Sequence, residues 1–356
     1  MGRISGVVTE IDPVRDPAWD AYVRTHPRAL AYHLGVWARI LTTPYAFRPR
    51  YLALRGDDGR LHGVLPLIAR RGFVRGRRLH SLPHVPVAGP LGDSLEAELV
   101  LVDAACELAR RTDSRLEMST RTPYGEQRSD LGRLVKPPTW ILRLPDSSDE
   151  LQARWGRGSN VARSVRKAEK AGLTVRQGRS PGDLSTFYQL YLLTMRKHGS
   201  LPTNRRQLRR ARASLEPSGI FRLYFVEHEG STVAGGLFHV FNGTVELLYN
   251  ASLESALSLR PNHALYWHVA RMAIEEGHRS FDFGYAWPQE SLGAFKAQWG
   301  AEAVGEYRYE YPRGRPSVEN SPPSTDGSRS QQVLDRLMGR LPLALLELAG
   351  RVVPYA

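Results

Sequence analysis

Arg163, Arg166, Lys167 and Lys170 recur at i, i+3, i+4 and i+7. On a 3.6-residue period they share one helix face. Adjacent like charges repel unless an anion sits near them, and guanidinium groups suit phosphate oxygens. The face reads either as a clamp for a diphosphate or a tRNA end, or as an ordinary solvated surface. Asp282 lies in Phe281-Asp282-Phe283-Gly284, at the end of an apolar strand. A carboxylate between two phenylalanines is desolvated unless it is paired. It could accept a proton from an attacking amine, or cap a neighbouring backbone. His263 and Trp267 stand four residues apart, as the wall of a cleft would. Glu246 and Tyr249 have odd spacing, which predicts opposite faces of one strand. His239 reads as a core histidine. His80 and His84 flank Leu82-Pro83 without further metal ligands. The single cysteine, Cys106, excludes an intramolecular disulfide and any zinc site built on two thiolates. The sequence carries no nucleophile elbow, ordered Ser-His-Asp set or metal constellation, so no metal is expected.

These residues sit in a basic chain. The formal net charge is +13 over 356 residues. Between Glu150 and Arg212 there are fifteen Lys/Arg against three Asp/Glu, a balance of +12. Nearly the whole excess is thus local. A field of that kind attracts a polyanion: a nucleotide, a lipid diphosphate or RNA. The length suits two domains, and 42% apolar with 24% charged residues is a globular composition. The first residues lack the apolar core of a signal peptide, and no stretch approaches 18 apolar residues. Together with one cysteine, this predicts the reducing cytosol.

The elements that must position the candidates alternate. Ala18–Thr25 and Leu34–Leu41 have helical spacing. Arg50–Leu54 and Leu61–Ile68 around Gly56-Asp57-Asp58-Gly59 predict a hairpin. Leu95–Arg111 predicts a four-turn helix, and Arg115–Met118 and Thr139–Leu144 predict strands. After the turn formers Pro145–Asp149, Glu150–Ala171 predicts one helix stopped by Gly172. Leu173–Arg176 follows as a strand and Pro181–Lys197 as a helix. Arg222–Glu227, Thr232–Phe241 and Thr244–Ala251 form an antiparallel meander, turning at Asn242-Gly243. The helix His263–Gly277, the strand Ser280–Phe283, the amphipathic piece Leu292–Trp299 and the strand Tyr307–Tyr311 complete it.

Both halves share one layout without a residue-level repeat. The expected fold is α+β, layered in the α/β manner, with mixed, mostly antiparallel sheets flanked by helices. The expected domains are 1–145 and 150–312. Residues 313–330, rich in Pro, Ser and Gly, predict a disordered linker. Residues 331–356 predict an amphipathic tail with Leu334, Leu337, Met338, Leu341, Leu345, Leu348 and Val352 on one stripe, and Pro342 opening a second short helix. That stripe either docks on the body or lies peripherally on the inner face of a membrane.

Six stretches, in order, carry a resemblance. They are Tyr32–Trp37 with Gly63–Leu67; Ser81–Pro83 with Gly89–Leu91; Asn160–Gly172; Phe187–Gly199; Asn262–Trp267 with Phe281–Gly284; and Gly293–Gly300. Over roughly 30–312 the chain resembles the FemAB-like branch of the GNAT superfamily. Its members carry two tandem GNAT-like domains. They include aminoacyl-tRNA-dependent enzymes that build peptidoglycan cross-bridges, and acetyltransferase-like relatives.

The resemblance implies an acyltransferase with no bound cofactor, whose donor is aminoacyl-tRNA or acyl-CoA. The acceptor it implies is an amine on a phosphate-bearing molecule. By resemblance, Lys296 steadies the carbonyl oxygen as charge develops and Phe295 packs against the donor, with Asp282 as the third catalytic candidate. Arg163, Arg166, Lys167, Lys170 and Asn160 form the expected phosphate-binding set, completed by Trp37, Trp267 and Tyr249. Classical GNAT enzymes hold the CoA pyrophosphate in a glycine-rich loop opening a helix. The stretch after Ala251, Ser252–Asn262, has no glycine. This favours aminoacyl-tRNA over CoA. CoA-dependent N-acetylation, or a non-catalytic protein binding RNA or lipid, are the alternatives.

Overall fold

The computed structural model describes residues 6–45, 47–72, 76–83, 85–134, 136–156, 158–312 and 338–352. The predicted linker 313–330, the first part of the tail and His84 lie outside them. The chain divides into two units, changing over after Pro137, again after Val304, and back to unit 2 before the tail.

The first run of elements is β1 (Gly6–Ile11), α1 (Pro17–Thr25), α2 (Trp37–Tyr45), β2 (Arg48–Pro49), β3 (Tyr51–Gly56), β4 (Leu61–Leu65), β5 (Ile68–Gly72), β6 (Gly76–His80), β7 (Leu91–Gly92), α3 (Leu95–Arg111), β8 (Arg115–Thr120) and β9 (Gly132–Leu134). α3 has the bounds its periodicity predicts. Ser94 caps it, accepting from the Ala97 N–H, and Leu101, Val102, Ala105 and Cys106 bury its apolar face. Burial pushes the Cys106 thiol up to about 11, so it is a core thiol rather than a nucleophile.

The second run is β10 (Thr139–Arg143), α4 (Ser148–Trp155), α5 (Asn160–Lys170), β11 (Thr174–Gly178), α6 (Asp183–Lys197), α7 (Arg205–Leu215), β12 (Phe221–His228), β13 (Ser231–Phe241), β14 (Thr244–Ser252), α8 (Pro261–Glu275), β15 (Ser280–Tyr285), α9 (Ser291–Gln298), β16 (Glu302–Val304), β17 (Tyr307–Tyr311) and the tail helix α10 (Leu343–Val352). The predicted single helix Glu150–Ala171 is two. Gly156 takes a left-handed φ of 72° and ends α4, and Ser159 caps α5 by accepting from the Ala162 N–H.

Unit 1 holds a four-stranded sheet, β1-β3-β4-β7, and a six-stranded sheet, β2-β5-β6-β8-β17-β9. Unit 2 holds a seven-stranded sheet, β11-β12-β13-β14-β15-β10-β16. Pairing is antiparallel except for β6 with β8 and β14 with β15. The sheets are mixed and flanked by helices, as expected. The unit boundaries differ from the expected 1–145 and 150–312. β10 pairs with β15 and β16 in unit 2, and β17 pairs with β8 and β9 in unit 1. The six-stranded and the seven-stranded sheets are each completed by a strand from the other half of the sequence.

In unit 2, α5 and α8 pack on one face of the sheet and α6 on the other. The tail helix packs on α6, with Leu346 fully buried. Its buried side is not the predicted stripe: Leu345 and Leu348 of that stripe face outward, each 50% exposed.

Candidate active site

The site grows from the parallel pair in unit 2. β14 and β15 pair at Thr244↔Ser280, Val245↔Phe281 and Glu246↔Asp282, and the ladder ends there. β14 runs on to Ser252 and β15 to Tyr285. Backbone groups beyond the last pair need other partners. Lys296, from α9, supplies them: its Nζ donates to the carbonyls of Gly284 at 2.9 Å and Tyr285 at 3.0 Å. An ammonium carries three N–H groups. Among the described residues no acceptor takes the third. Lys296 is 4% exposed, and burial pushes its pKa down to about 8 against the opposing pull of Asp282 and Glu290. It is therefore a desolvated cation at neutral pH.

Asp282 is 1% exposed. Its Oδ1 accepts from the Thr139 hydroxyl at 2.5 Å and from the Gly284 N–H at 2.9 Å. These bonds fix the turn that offers the Gly284 carbonyl to Lys296. Gly284 has a φ of 72°, which glycine adopts without strain. The carboxylate thus orients the lysine's acceptors.

Phe295, beside Lys296, is half-buried in an aromatic cluster. It meets His263 edge-on at 5.1 Å between ring centroids, with Tyr266 at 6.0 Å and Trp299 at 6.4 Å. Trp155 packs edge-on against Trp299 at 5.1 Å and Trp267 at 5.4 Å, and donates from Nε1 to the Trp299 carbonyl at 2.9 Å. Each such pair adds about 0.5–1.5 kcal/mol beyond area burial. The cluster fastens α9, and with it Lys296, to α8 and to the end of α4. Burial pushes His263 down to about 4, with Arg260 adding to the effect, so its ring is neutral at physiological pH.

Arg163, Arg166, Lys167 and Lys170 are exposed on α5, as the spacing predicts, while Val161, Val165 and Ala168 face the core. Asn160 starts the helix. Its Oδ1 accepts from Arg163 at 2.8 Å, and its Nδ2 lies 3.5 Å from Gln298 Oε1 on α9. The basic helix and the lysine helix therefore meet at Asn160.

Three expected binding residues do not line the basic face of α5. Trp37 belongs to unit 1, where it is 3% exposed and its Nε1 donates to the Ala31 carbonyl. Trp267 is buried within the aromatic cluster. Tyr249 lies on the α6 face, bonding Thr203 Oγ1 at 2.7 Å and packing on Tyr191 at 4.9 Å. The expected opposition of Glu246 and Tyr249 is overturned. The register shifts from Leu237↔Tyr249 to Phe238↔Leu247, so Leu248 is an extra residue in β14. Such a bulge reverses the alternation, and Glu246, paired with His239, shares the face of Tyr249. Its partner across the parallel pair, Asp282, lies on that face too, which makes a buried polar row of His239, Glu246 and Asp282.

Sequence reasoning missed Thr139, whose strand comes from the other half of the chain. It also missed Trp155, hidden by the helix break at Gly156. The connection from β14 to α8 is as glycine-free as it reads. A short 3-10 turn, Glu254–Leu259, leads to Arg260 in the left-handed region at φ 68°. Pro261 then opens α8, and the Arg260 carbonyl takes the N–H groups of His263 and Ala264. Asn262 Oδ1 accepts from Asn250 Nδ2 at 3.2 Å. No group of three or more His, Cys, Asp or Glu among the described residues is placed to hold a metal.

Unit 2 is thus a mixed sheet with helices on both faces, its one parallel pair opening beside Lys296. Residues 156–311 match the family described as acetyltransferase (GNAT) domain, and that segment is a domain of this type. Solved structures share the fold of most of the chain. FemX shares the fold at 19% identity and a TM-score of 0.69, over 85% of this chain and 96% of that one. L-PGS from Bacillus licheniformis shares it at 16% identity and 0.56, over 94% and 99%. A tandem GNAT protein from the clavulanic acid biosynthesis pathway shares it at 15% identity and 0.53, over 88% and 100%. No curated protein matches the chain in sequence.

Proposed function

We propose that the chain transfers an aminoacyl group from aminoacyl-tRNA to an amine on a phosphate-bearing acceptor, such as a lipid-linked cell-envelope precursor. The connection between β14 and α8 carries this reading. A CoA pyrophosphate needs free backbone N–H groups at a helix N-terminus. Here Pro261 has none, and those of His263 and Ala264 are taken by Arg260. A phosphate-bearing donor is then held by side chains, and α5 supplies four exposed cations.

The amine nitrogen attacks the ester carbonyl of the donor. A C–N bond forms, the ester C–O bond breaks, and the proton lost by the amine ends on the departing ribose oxygen. The third N–H of Lys296 meets the carbonyl oxygen as its charge grows. Asp282 and Thr139 position the Gly284 turn, Phe295 packs against the donor, and holding the reactants together supplies much of the rate. A lipid-linked acceptor is met at a bilayer surface, and the tail helix of unit 2 exposes Leu345 and Leu348.

CoA-dependent N-acetylation of a sugar or small amine is the second reading, favoured by the family match over 156–311. The test supplies the full chain with tRNA charged with labelled amino acids and an envelope-precursor fraction. Label should pass to the precursor and stop with Lys296→Met. Label passing instead from acetyl-CoA overturns the donor assignment. No transfer from either donor, with tRNA still bound by Lys296→Met, would make the chain a binding protein.

A further inference from the structure

The tail helix has two apolar sides, and the body covers one. Leu346 is buried, and Gly350, one turn on, lies so close that a Cβ there would come within 2.5 Å of the Pro202 carbonyl. Gly339, just before the helix, lies against the Arg196 carbonyl. The tail therefore runs across the connection between α6 and α7. On its outer side Leu345 and Leu348 are each 50% exposed, with Ala344 exposed one turn before Leu348. The one charged residue from Leu343 to Gly350 is Glu347, half-buried on the flank. Single exposed leucines are ordinary; a contiguous pair, with no charge among the described residues of that helix side, marks a contact surface.

The segments that flank the tail's contact with the body are cationic. α7 begins three residues after Pro202 and exposes Arg206 and Arg209, with Arg210 half-exposed. Arg340 is exposed at the start of the tail. Among the described residues none of these four forms an ion pair, whereas Arg212, on the buried side of α7, pairs with Glu216. Two leucines and an alanine are too small a patch for a stable protein interface. Uncompensated guanidinium groups beside a narrow apolar ridge fit an anionic bilayer, whose phosphates meet the arginines while the leucines enter the acyl boundary.

We propose that the outer side of the tail helix, with Arg206, Arg209 and Arg340, docks unit 2 on an anionic lipid surface. This holds whichever donor the active site uses. The test is flotation of the full chain with phosphatidylcholine vesicles, with and without phosphatidylglycerol. The chain should float only with the anionic vesicles, and less so in high salt. Leu345→Ser/Leu348→Ser should weaken binding about tenfold or more. Arg206→Gln/Arg209→Gln should weaken it about thirtyfold at low salt. Thermal melting of both variants should match the wild type, since neither pair is buried. Equal flotation on both vesicle types, or flotation indifferent to the leucine variant, overturns the proposal. A concentration-dependent gain in mass that Leu345→Ser/Leu348→Ser abolishes would assign the surface to a second copy instead, also overturning it. A failed transfer assay with flotation intact would count against the donor reading alone.

Discussion

In unit 1, β8 lies between a parallel neighbour, β6, and an antiparallel one, β17; in unit 2, β15 lies between β14 and β10 in the same way. Both central strands carry a buried carboxylate at the last register position of the parallel pair. In unit 1 it is Glu117, opposite His80; in unit 2 it is Asp282, opposite Glu246. Their partners differ. Glu117 is gripped by Arg78 and Arg308, with His80 Nδ1 at 3.6 Å. Asp282 is held by a hydroxyl and a backbone N–H, next to a lysine with one N–H uncommitted. A carboxylate saturated by arginine has little left for a substrate. The strand plan is therefore architecture, and the capacity for chemistry depends on which donor the local helices bring to it.

The largest expected effect falls on Lys296. Lys296→Met should lower kcat/KM for acyl transfer by about 10²–10³, the usual cost of losing one oxyanion donor. Circular dichroism should show the fold retained. The counterpart in unit 1 should behave otherwise. Glu117→Gln removes the carboxylate charge that Arg78 and Arg308 grip and should cost about 3 kcal/mol in urea unfolding, with the rate per folded molecule unchanged. A folded Glu117→Gln protein without activity would break the comparison.

A smaller effect sharpens the role of Asp282. Lys296 stabilises an oxyanion only when protonated, and its pKa lies at about 8. The kcat/KM of the wild type should fall as pH rises through about 8. Asp282 raises that pKa, so Asp282→Asn should move the alkaline limb to lower pH. A limb that stays in place would detach Asp282 from Lys296. The smallest effect belongs to Tyr249. Tyr249→Phe removes its bond to Thr203 and should cost about 1 kcal/mol of stability, with kcat unaltered. A drop in kcat would bring Tyr249 itself into the site.

Local pattern makes α3, the β12–β14 meander and the basic face of α5 legible in the sequence, because period and turn chemistry are written in neighbouring residues. Pairing between distant segments is not. The exchange of β10 and β17 moves Thr139 beside Asp282, and no window of sequence contains both. The bulge at Leu248 changes the face of Tyr249 by one residue, which alternation cannot register. The tail shows the same limit: its spacing picks out Leu345 and Leu348, yet the side that docks is the one with Leu346 and Gly350, chosen by a close backbone approach at Pro202. Lys296 and Phe295 are legible through a resemblance; the two carbonyls that seat the lysine are set by the fold.

The donor decides the account. Calorimetry of the full chain with acetyl-CoA and with a pool of charged tRNA, side by side, tests it most directly. Charged tRNA should bind, Arg166→Ala/Lys167→Ala should abolish that binding, and added CoA should not compete. Tight, one-to-one binding of acetyl-CoA, with tRNA indifferent to the α5 substitutions, would contradict it.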